Sequence, residues 1–196
     1  MEKKYKLTEE TLEIDGIILH RIIALKDFYG VKKGDLGGFV EKESNLAHDY
    51  NCWIYNDAVV RGNAMVYGDA KVYGNAEVCS NAKVYDDAKV YGNAEVCGNA
   101  KVCSNAKVCG EAMVYGEAKV CGNAKVEKKS DYIVFKNWWS SGRYFTWTRS
   151  NDMWTVGCFY GTGEELIKKA YKDSEEKGRE YERIVRYVES IKSEIK

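Results

Sequence analysis

The chain has 196 residues, 45% of them hydrophobic and 31% charged, and its formal net charge is zero. This length allows one or two domains with a hydrophobic core, and the balanced charge excludes a global attraction to nucleic acid or to membranes. No apolar run is long enough to cross a bilayer and no secretory signal follows Met1, so we expect a cytoplasmic protein without a membrane partner.

Residues 1–50 are predicted to form strands and turns. The segment from Leu12 to Leu19 contains two short apolar strands around Asp15-Gly16, a dipeptide typical of β-hairpin turns. The second strand continues to Leu25. We expect these residues to be a β-hairpin cap that covers the exposed strand edges of the next domain.

A repeat of six residues runs from Asn51 to Val126. Alanine and valine alternate through twelve consecutive units, starting with Ala58 and Val60. Residues two apart point to the same side of an extended strand, and the small or polar pair that ends each unit, often Gly-Asn, favours a turn. The pattern predicts a solenoid of short parallel strands over residues 51–126.

The repeat unit resembles the hexapeptide repeat of left-handed parallel β-helix proteins. That resemblance implies a mainly β fold with three faces and 18 residues per coil, about four coils in residues 52–126, and a homo-oligomer, either a trimer or a dimer. The lead-in, Asp27–Val40 and then Asn51–Tyr55, is similar to the start of bacterial and prophage-encoded β-helix proteins labelled hexapeptide transferases. The second resemblance implies a phage-encoded accessory protein that binds a host protein or a small anionic ligand.

Outward residues 18 positions apart are expected to form columns on the three faces. Two faces carry lysine columns and the second face carries a short glutamate column at positions 77 and 95. Either the lysine stems cover neighbouring tyrosine rings with their charges in water, or the columns meet an anionic partner or another subunit. The candidate binding residues on the first face are Lys71, Lys89, Lys107, Tyr73 and Tyr91.

The seven cysteines include no Cys-x-x-Cys pair, and six of them occupy repeat positions where tyrosine also occurs. This distribution argues against a disulfide framework and against a zinc site. We therefore expect free thiols, and no metal ligands are assigned.

Residues 127–196 are predicted to form a small α+β domain of three strands and two helices. The strands are expected at Tyr132–Phe135, Arg143–Thr148 and Trp154–Tyr160. Thr162, with glutamate three residues later, predicts the start of a helix, and an apolar stripe from Tyr181 to Ile195 predicts a second helix. The adjacent residues Trp138 and Trp139 lie in a predicted loop and cannot both point inward, so they are candidate anchors for a ligand or partner.

Catalytic equipment is not recognisable in the repeat. Hexapeptide acyltransferases, which the repeat resembles, use a histidine as general base, loops extruded from the coils, and coenzyme A; residues 51–126 contain no histidine and no loop. His48 lies six residues before Ile54 and is expected at an inward or capping position of the first coil. His20 and His48 together cannot supply the three histidine ligands of β-helix carbonic anhydrases.

The leading hypothesis is a non-catalytic, oligomeric scaffold or binding protein that needs no cofactor and binds an anionic ligand or a host protein. The alternative is an acyltransferase that binds coenzyme A at an interfacial active site, with His48 as the base. A second alternative is a nucleic-acid binder that uses the lysine and tyrosine columns, against which the zero net charge counts.

Overall fold

A computed structural model describes residues 2–195 and begins with an antiparallel hairpin. Strand β1 spans Tyr5–Ile14 and β2 spans Ile17–Ala24, and the two residues between them turn the chain with φ angles of 52° and 77°. The predicted hairpin is confirmed. Strand β3, Leu36–Val40, pairs with β2 in the antiparallel sense, and a 3-10 helix follows at Glu43–Asn45.

Short parallel strands, most of them two residues long, form the predicted solenoid. They build three sheets, which are the three faces of a prism, and neighbouring strands in the repeat are 18 residues apart. The first face consists of β4 (Trp53–Ile54), β7 (Lys71–Gly74), β10 (Lys89–Gly92), β13 (Lys107–Val108) and β16 (Lys125–Val126). The second face continues β1–β3 with β5 (Val59–Val60), β8 (Glu77–Val78), β11 (Glu95–Val96) and β14 (Met113–Val114). The third face consists of β6 (Met65–Val66), β9 (Lys83–Val84), β12 (Lys101–Val102) and β15 (Lys119–Val120).

Alanine and valine side chains fill the interior of the prism. The repeat alanines and valines from Ala58 to Val126 are at most 1% exposed. Backbone amides donate to carbonyls of the next coil, as Lys89 N does to Ala106 O at 2.9 Å. Burying one valine side chain stabilises the fold by about 1.5–3 kcal/mol. The interior therefore serves packing, and the chemistry of the repeat lies in the outward columns.

The first turn of the solenoid begins before Asn51. With β3 on the second face and Leu46 on the third, each face has five steps in the described chain, so the solenoid has about five turns, where residues 52–126 alone gave about four. Val40 pairs with Val60, and Leu46 forms a bridge with Val66. Leu46 and Ile54 are eight residues apart, and the two extra residues interrupt the period of six. The buried inward position belongs to Leu46, and His48 packs against the Tyr5 ring at 4.5 Å.

Two pairs of cysteines are joined, so the prediction of free thiols is wrong for four residues. Disulfides link Cys79 to Cys97 and Cys103 to Cys121, and in each pair the Cα atoms lie 4.7 Å apart. Residues 18 positions apart stack on adjacent coils, which brings their sulfur atoms within bonding reach. Cys52, Cys109 and Cys158 are free, the first two buried and the third exposed.

The tail folds into an antiparallel sheet with two helices. In its described part the sheet has four strands, β17 (Tyr132–Lys136), β18 (Tyr144–Thr148), β19 (Met153–Val156) and β20 (Phe159–Gly161), in that order. The single strand predicted at Trp154–Tyr160 is therefore wrong, because Gly157 at φ 60° turns the chain. Helices α1 (Gly163–Asp173) and α2 (Glu175–Ile191) pack on the sheet, and the predicted capping box of Thr162 with Glu165 is present.

Hydroxyl groups of the tail cover the last coil of the solenoid. No further coil follows to offer carbonyl acceptors to the backbone amides of this coil. Side chains of the tail accept these hydrogen bonds instead. Lys119 N donates to Thr146 Oγ1 at 2.9 Å, and Lys125 N donates to Ser150 Oγ at 2.7 Å. The tail thus packs on the prism and protects its end. Among the described residues, no helix is long and apolar enough to cross a membrane.

Candidate anion-binding face

The lysine column of the first face lines a surface groove with a volume of about 540 Å³. Its lysines stack in register, since Lys71, Lys89 and Lys107 occupy equivalent positions of paired strands, and Lys125 follows. Adjacent strands lie about 4.8 Å apart, so the column presents an ammonium group at each step of the prism. The structure therefore brings the three candidate lysines together on one open surface.

A second column, of aspartate and asparagine, also lines the groove. It consists of Asp69, Asp87, Asn105 and Asn123, each two residues before a lysine. Asp69 already accepts two hydrogen bonds from Asn51, at 2.9 and 3.1 Å. The two carboxylates thus lie beside Lys71 and Lys89. The lower half of the groove, nearer the tail, has the neutral amides of Asn105 and Asn123.

The charges of the groove do not cancel. Its four lysines and two aspartates leave two positive charges. Glu127, outside the lining, pairs with Lys125 at 2.8 Å. Lys71, Lys89 and Lys107 form no ion pair with any residue from 2 to 195. Lys107, between two asparagines, is therefore the least compensated cation of the groove.

Aromatic groups flank the column differently from what was expected. Tyr73 and Tyr91 stack face to face at 4.8 Å on the strands that carry the lysines, but they do not line the groove. A hydrogen bond with Cys109 and burial raise the pKa of Tyr91 to about 12. Tyr29, from the turn before β3, lines the groove instead, and Lys71 Nζ lies 4.3 Å from the centre of its ring.

Trp138 and Trp139 lie in the loop between β17 and β18, within the tail and away from the lysine groove. They are 76% and 65% exposed, so neither of them belongs to the core. Lys136 Nζ lies 4.7 Å from the Trp138 ring, and Trp139 Nε1 donates to Glu180 at 2.5 Å. The loop is thus held by polar contacts and presents two aromatic faces.

His48 has both ring nitrogens engaged. Lys4 N donates to Nδ1 at 3.1 Å, so Nδ1 is the acceptor and Nε2, 2.7 Å from Glu43 Oε1, carries the proton. Hydrogen bonds from Lys3 and His48 lower the pKa of Glu43. A general base needs a free nitrogen lone pair, which this arrangement does not leave. Neither His48 nor His20 lines the lysine groove.

Sequence reasoning missed Tyr29 and the aspartate–asparagine column. The column has the same spacing of 18 as the lysines, and this signal was present in the sequence. Tyr29 reaches the groove from a turn 42 residues before Lys71, the first lysine of the column, and the repeat pattern does not contain that information.

The repeat and the solenoid together have the form of hexapeptide-repeat β-helix proteins. No protein-family model matches the chain. An uncharacterized acetyltransferase of Escherichia coli (strain K12), YdcK, is 38% identical over 76 residues, which cover 31% of this chain. The match spans 23% of the length of that relative.

Proposed function

We propose that the chain is a non-catalytic binding protein whose first face holds an anionic ligand along the lysine column. The observation that carries this proposal is the register of Lys71, Lys89 and Lys107, which lack intramolecular ion pairs within the described chain and line one groove. Hydrogen bonds between charged groups are among the stronger polar contacts in proteins.

The energetics of the column favour a bound anion. Like charges about 5 Å apart repel by about 1 kcal/mol in water and by more near a protein surface. An anion between two lysines adds two attractions, which together outweigh this repulsion. The lower half of the groove, around Lys107, supports the proposal most, because Asn105 and Asn123 offer amide donors without negative charge. An elongated anion with several charged oxygens matches the repeated spacing.

Inorganic tripolyphosphate is the probe for this proposal. We expect the double variant Lys89→Gln and Lys107→Gln to lose at least about tenfold in affinity by isothermal titration calorimetry. The matched control is Lys83→Gln with Lys101→Gln, which removes the same charge from the third face and should keep its affinity. Affinity should also fall as salt rises. Equal losses in both double variants, or no binding at low salt, would contradict the proposal.

The proposal includes a homo-oligomer in the cytoplasm, with the prism as a rigid scaffold that displays the tail. The resemblance of the lead-in to prophage proteins supports a phage-encoded binder of a host protein, and the exposed Trp138 and Trp139 offer the surface for it. Native mass spectrometry checks the subunit number. A monomer at micromolar concentration would remove the oligomeric part of the proposal and leave the lysine groove untouched.

The second candidate is an acyltransferase, favoured by the name of the Escherichia coli relative. The identity of 38% over 76 residues supports it, and the hydrogen bonds of His48 oppose it. Calorimetric titration with acetyl-coenzyme A decides between the two candidates. Acetyl-coenzyme A binding at least about tenfold tighter than tripolyphosphate binding would support an acyltransferase that uses this groove, because a column that selects only negative charge holds both anions. Absence of acetyl-coenzyme A binding would rule out the acyltransferase and leave the non-catalytic binding protein as the remaining candidate.

A further inference from the structure

We propose that the second face holds a site for a soft divalent metal ion, of the zinc class, when the Cys79–Cys97 disulfide is reduced. The metal-ligating atoms of Glu77, Cys79 and Cys97 all lie within 4.8 Å of one another. A second carboxylate, Glu95 Oε1, lies 3.5 Å from Cys97 Sγ. Two coils thus contribute one glutamate and one cysteine each, and Glu95 adjoins the group of three through Cys97.

The spacing of these atoms suits tetrahedral coordination. Zinc binds thiolate sulfur at about 2.3 Å and carboxylate oxygen at about 2.0–2.2 Å, so neighbouring ligand atoms lie about 3.5 Å apart. The Cα atoms of the two cysteines are 4.7 Å apart on adjacent strands, which allows the reduced sulfur atoms to separate by side-chain rotation alone. The backbone ladder between β8 and β11 holds both glutamates in register.

The charges of the reduced cluster call for a cation. A phosphine reductant with one water molecule converts the disulfide to two thiols and becomes the phosphine oxide. Metal binding then releases the two thiol protons and leaves two thiolates and two carboxylates, four negative charges. Arg61, 2.6 Å from Glu77 Oε1, supplies one positive charge, and a divalent ion supplies two more. The disulfide form has no thiolate and therefore lacks the two sulfur ligands.

The other disulfide of the chain is a built-in comparison. Cys103 and Cys121 have the same separation of 18 residues and the same Cα distance of 4.7 Å. Their strands carry Lys101 and Lys119 where the first pair has glutamates. Ammonium groups repel a divalent ion and offer no oxygen ligand, so the reduced Cys103–Cys121 pair should not bind it.

Cobalt(II) is the probe, added without oxygen to the full chain after reduction by a phosphine and removal of the reductant. We expect one equivalent to produce thiolate-to-cobalt charge-transfer absorption, which zinc then abolishes by displacement. Cys79→Ser should remove the absorption, and Glu77→Gln should weaken cobalt binding at least about tenfold. Cys103→Ser should leave both the charge-transfer absorption and the affinity for cobalt unchanged.

Three outcomes would overturn the proposal. The reduced chain could show no charge-transfer absorption, Cys103→Ser could abolish it as completely as Cys79→Ser does, or the oxidised chain could bind cobalt with the same absorption. Circular dichroism of each variant shows that the solenoid is folded during the titration, so loss of structure cannot be mistaken for loss of the site.

Discussion

Replacing Thr146 by valine tests how the tail covers the end of the prism. Thr146 is buried, and its hydroxyl accepts the hydrogen bond of Lys119 N at 2.9 Å. Valine has nearly the same shape as threonine but no acceptor, so the amide of Lys119 loses its partner. An unsatisfied donor costs about 1–3 kcal/mol, and because this bond is part-buried we expect a loss of about 1–2 kcal/mol in the free energy of unfolding.

The matched control is Thr155→Val. Thr155 faces Thr146 on the neighbouring strand and is also buried, but its hydroxyl forms no hydrogen bond with residues 2–195. We expect this variant to be about as stable as the native chain. Urea unfolding followed by tryptophan fluorescence gives the free energies.

Hydrogen exchange provides a local readout for the same pair of variants. Each 1.4 kcal/mol of lost protection raises the exchange rate of an amide about tenfold. The amide of Lys119 should exchange about tenfold faster in Thr146→Val and at the native rate in Thr155→Val. Unchanged exchange at Lys119 in Thr146→Val would refute the capping role, even if the variant were less stable overall.

Two further predictions concern stability. The disulfide between Cys103 and Cys121 links positions 18 residues apart, so replacing both cysteines by serine should lower the free energy of unfolding by about 3 kcal/mol. Urea unfolding without reductant measures this loss. A variant as stable as the native chain would show that the disulfide does not form. Because the pKa of Glu43 is lowered by Lys3 and His48, its stabilising contribution is present above the ordinary carboxyl pKa and is lost as the pH falls through the lowered value. The Glu43→Gln variant should therefore be less stable than the native chain at neutral pH and approach it in acid, and a difference that stays constant down to low pH would contradict this reasoning.

The solenoid could be predicted because its period is uninterrupted from Ala58 to Val126. The first turn could not, because the two extra residues between Leu46 and Ile54 break the period. Gly37 and Gly38 in β3 give no hydrophobic signal, although they are required: a Cβ atom on Gly38 would lie 2.4 Å from Ala58 O. Close packing of a backbone against its neighbour leaves no trace in a pattern of apolar residues.

The candidate site was partly visible in the sequence. The register of Lys71, Lys89 and Lys107 follows from the repeat and is confirmed by the strand pairing. Whether stacked cysteines are joined depends on the distance between their sulfur atoms, and the spacing of 18 residues alone does not give it. The residues that distinguish the two pairs, Glu77 before Cys79 and Lys101 before Cys103, were by contrast visible in the sequence.

The three-sided coil makes the length of this protein a discrete quantity. Inserting or deleting 18 residues would move the tail along the prism axis by about 4.8 Å and keep its orientation. Inserting six residues would rotate the tail by about a third of a revolution. Every later repeat unit would also move to the next face, so the lysine column of the first face would no longer be continuous. The Thr146 and Ser150 hydroxyls of the tail accept from backbone amides of the last coil, Lys119 N and Lys125 N, and every coil of the repeat presents amides at these positions. The same tail can therefore end a prism of any whole number of coils, and the reach between the two ends of the molecule can be changed without redesigning either end.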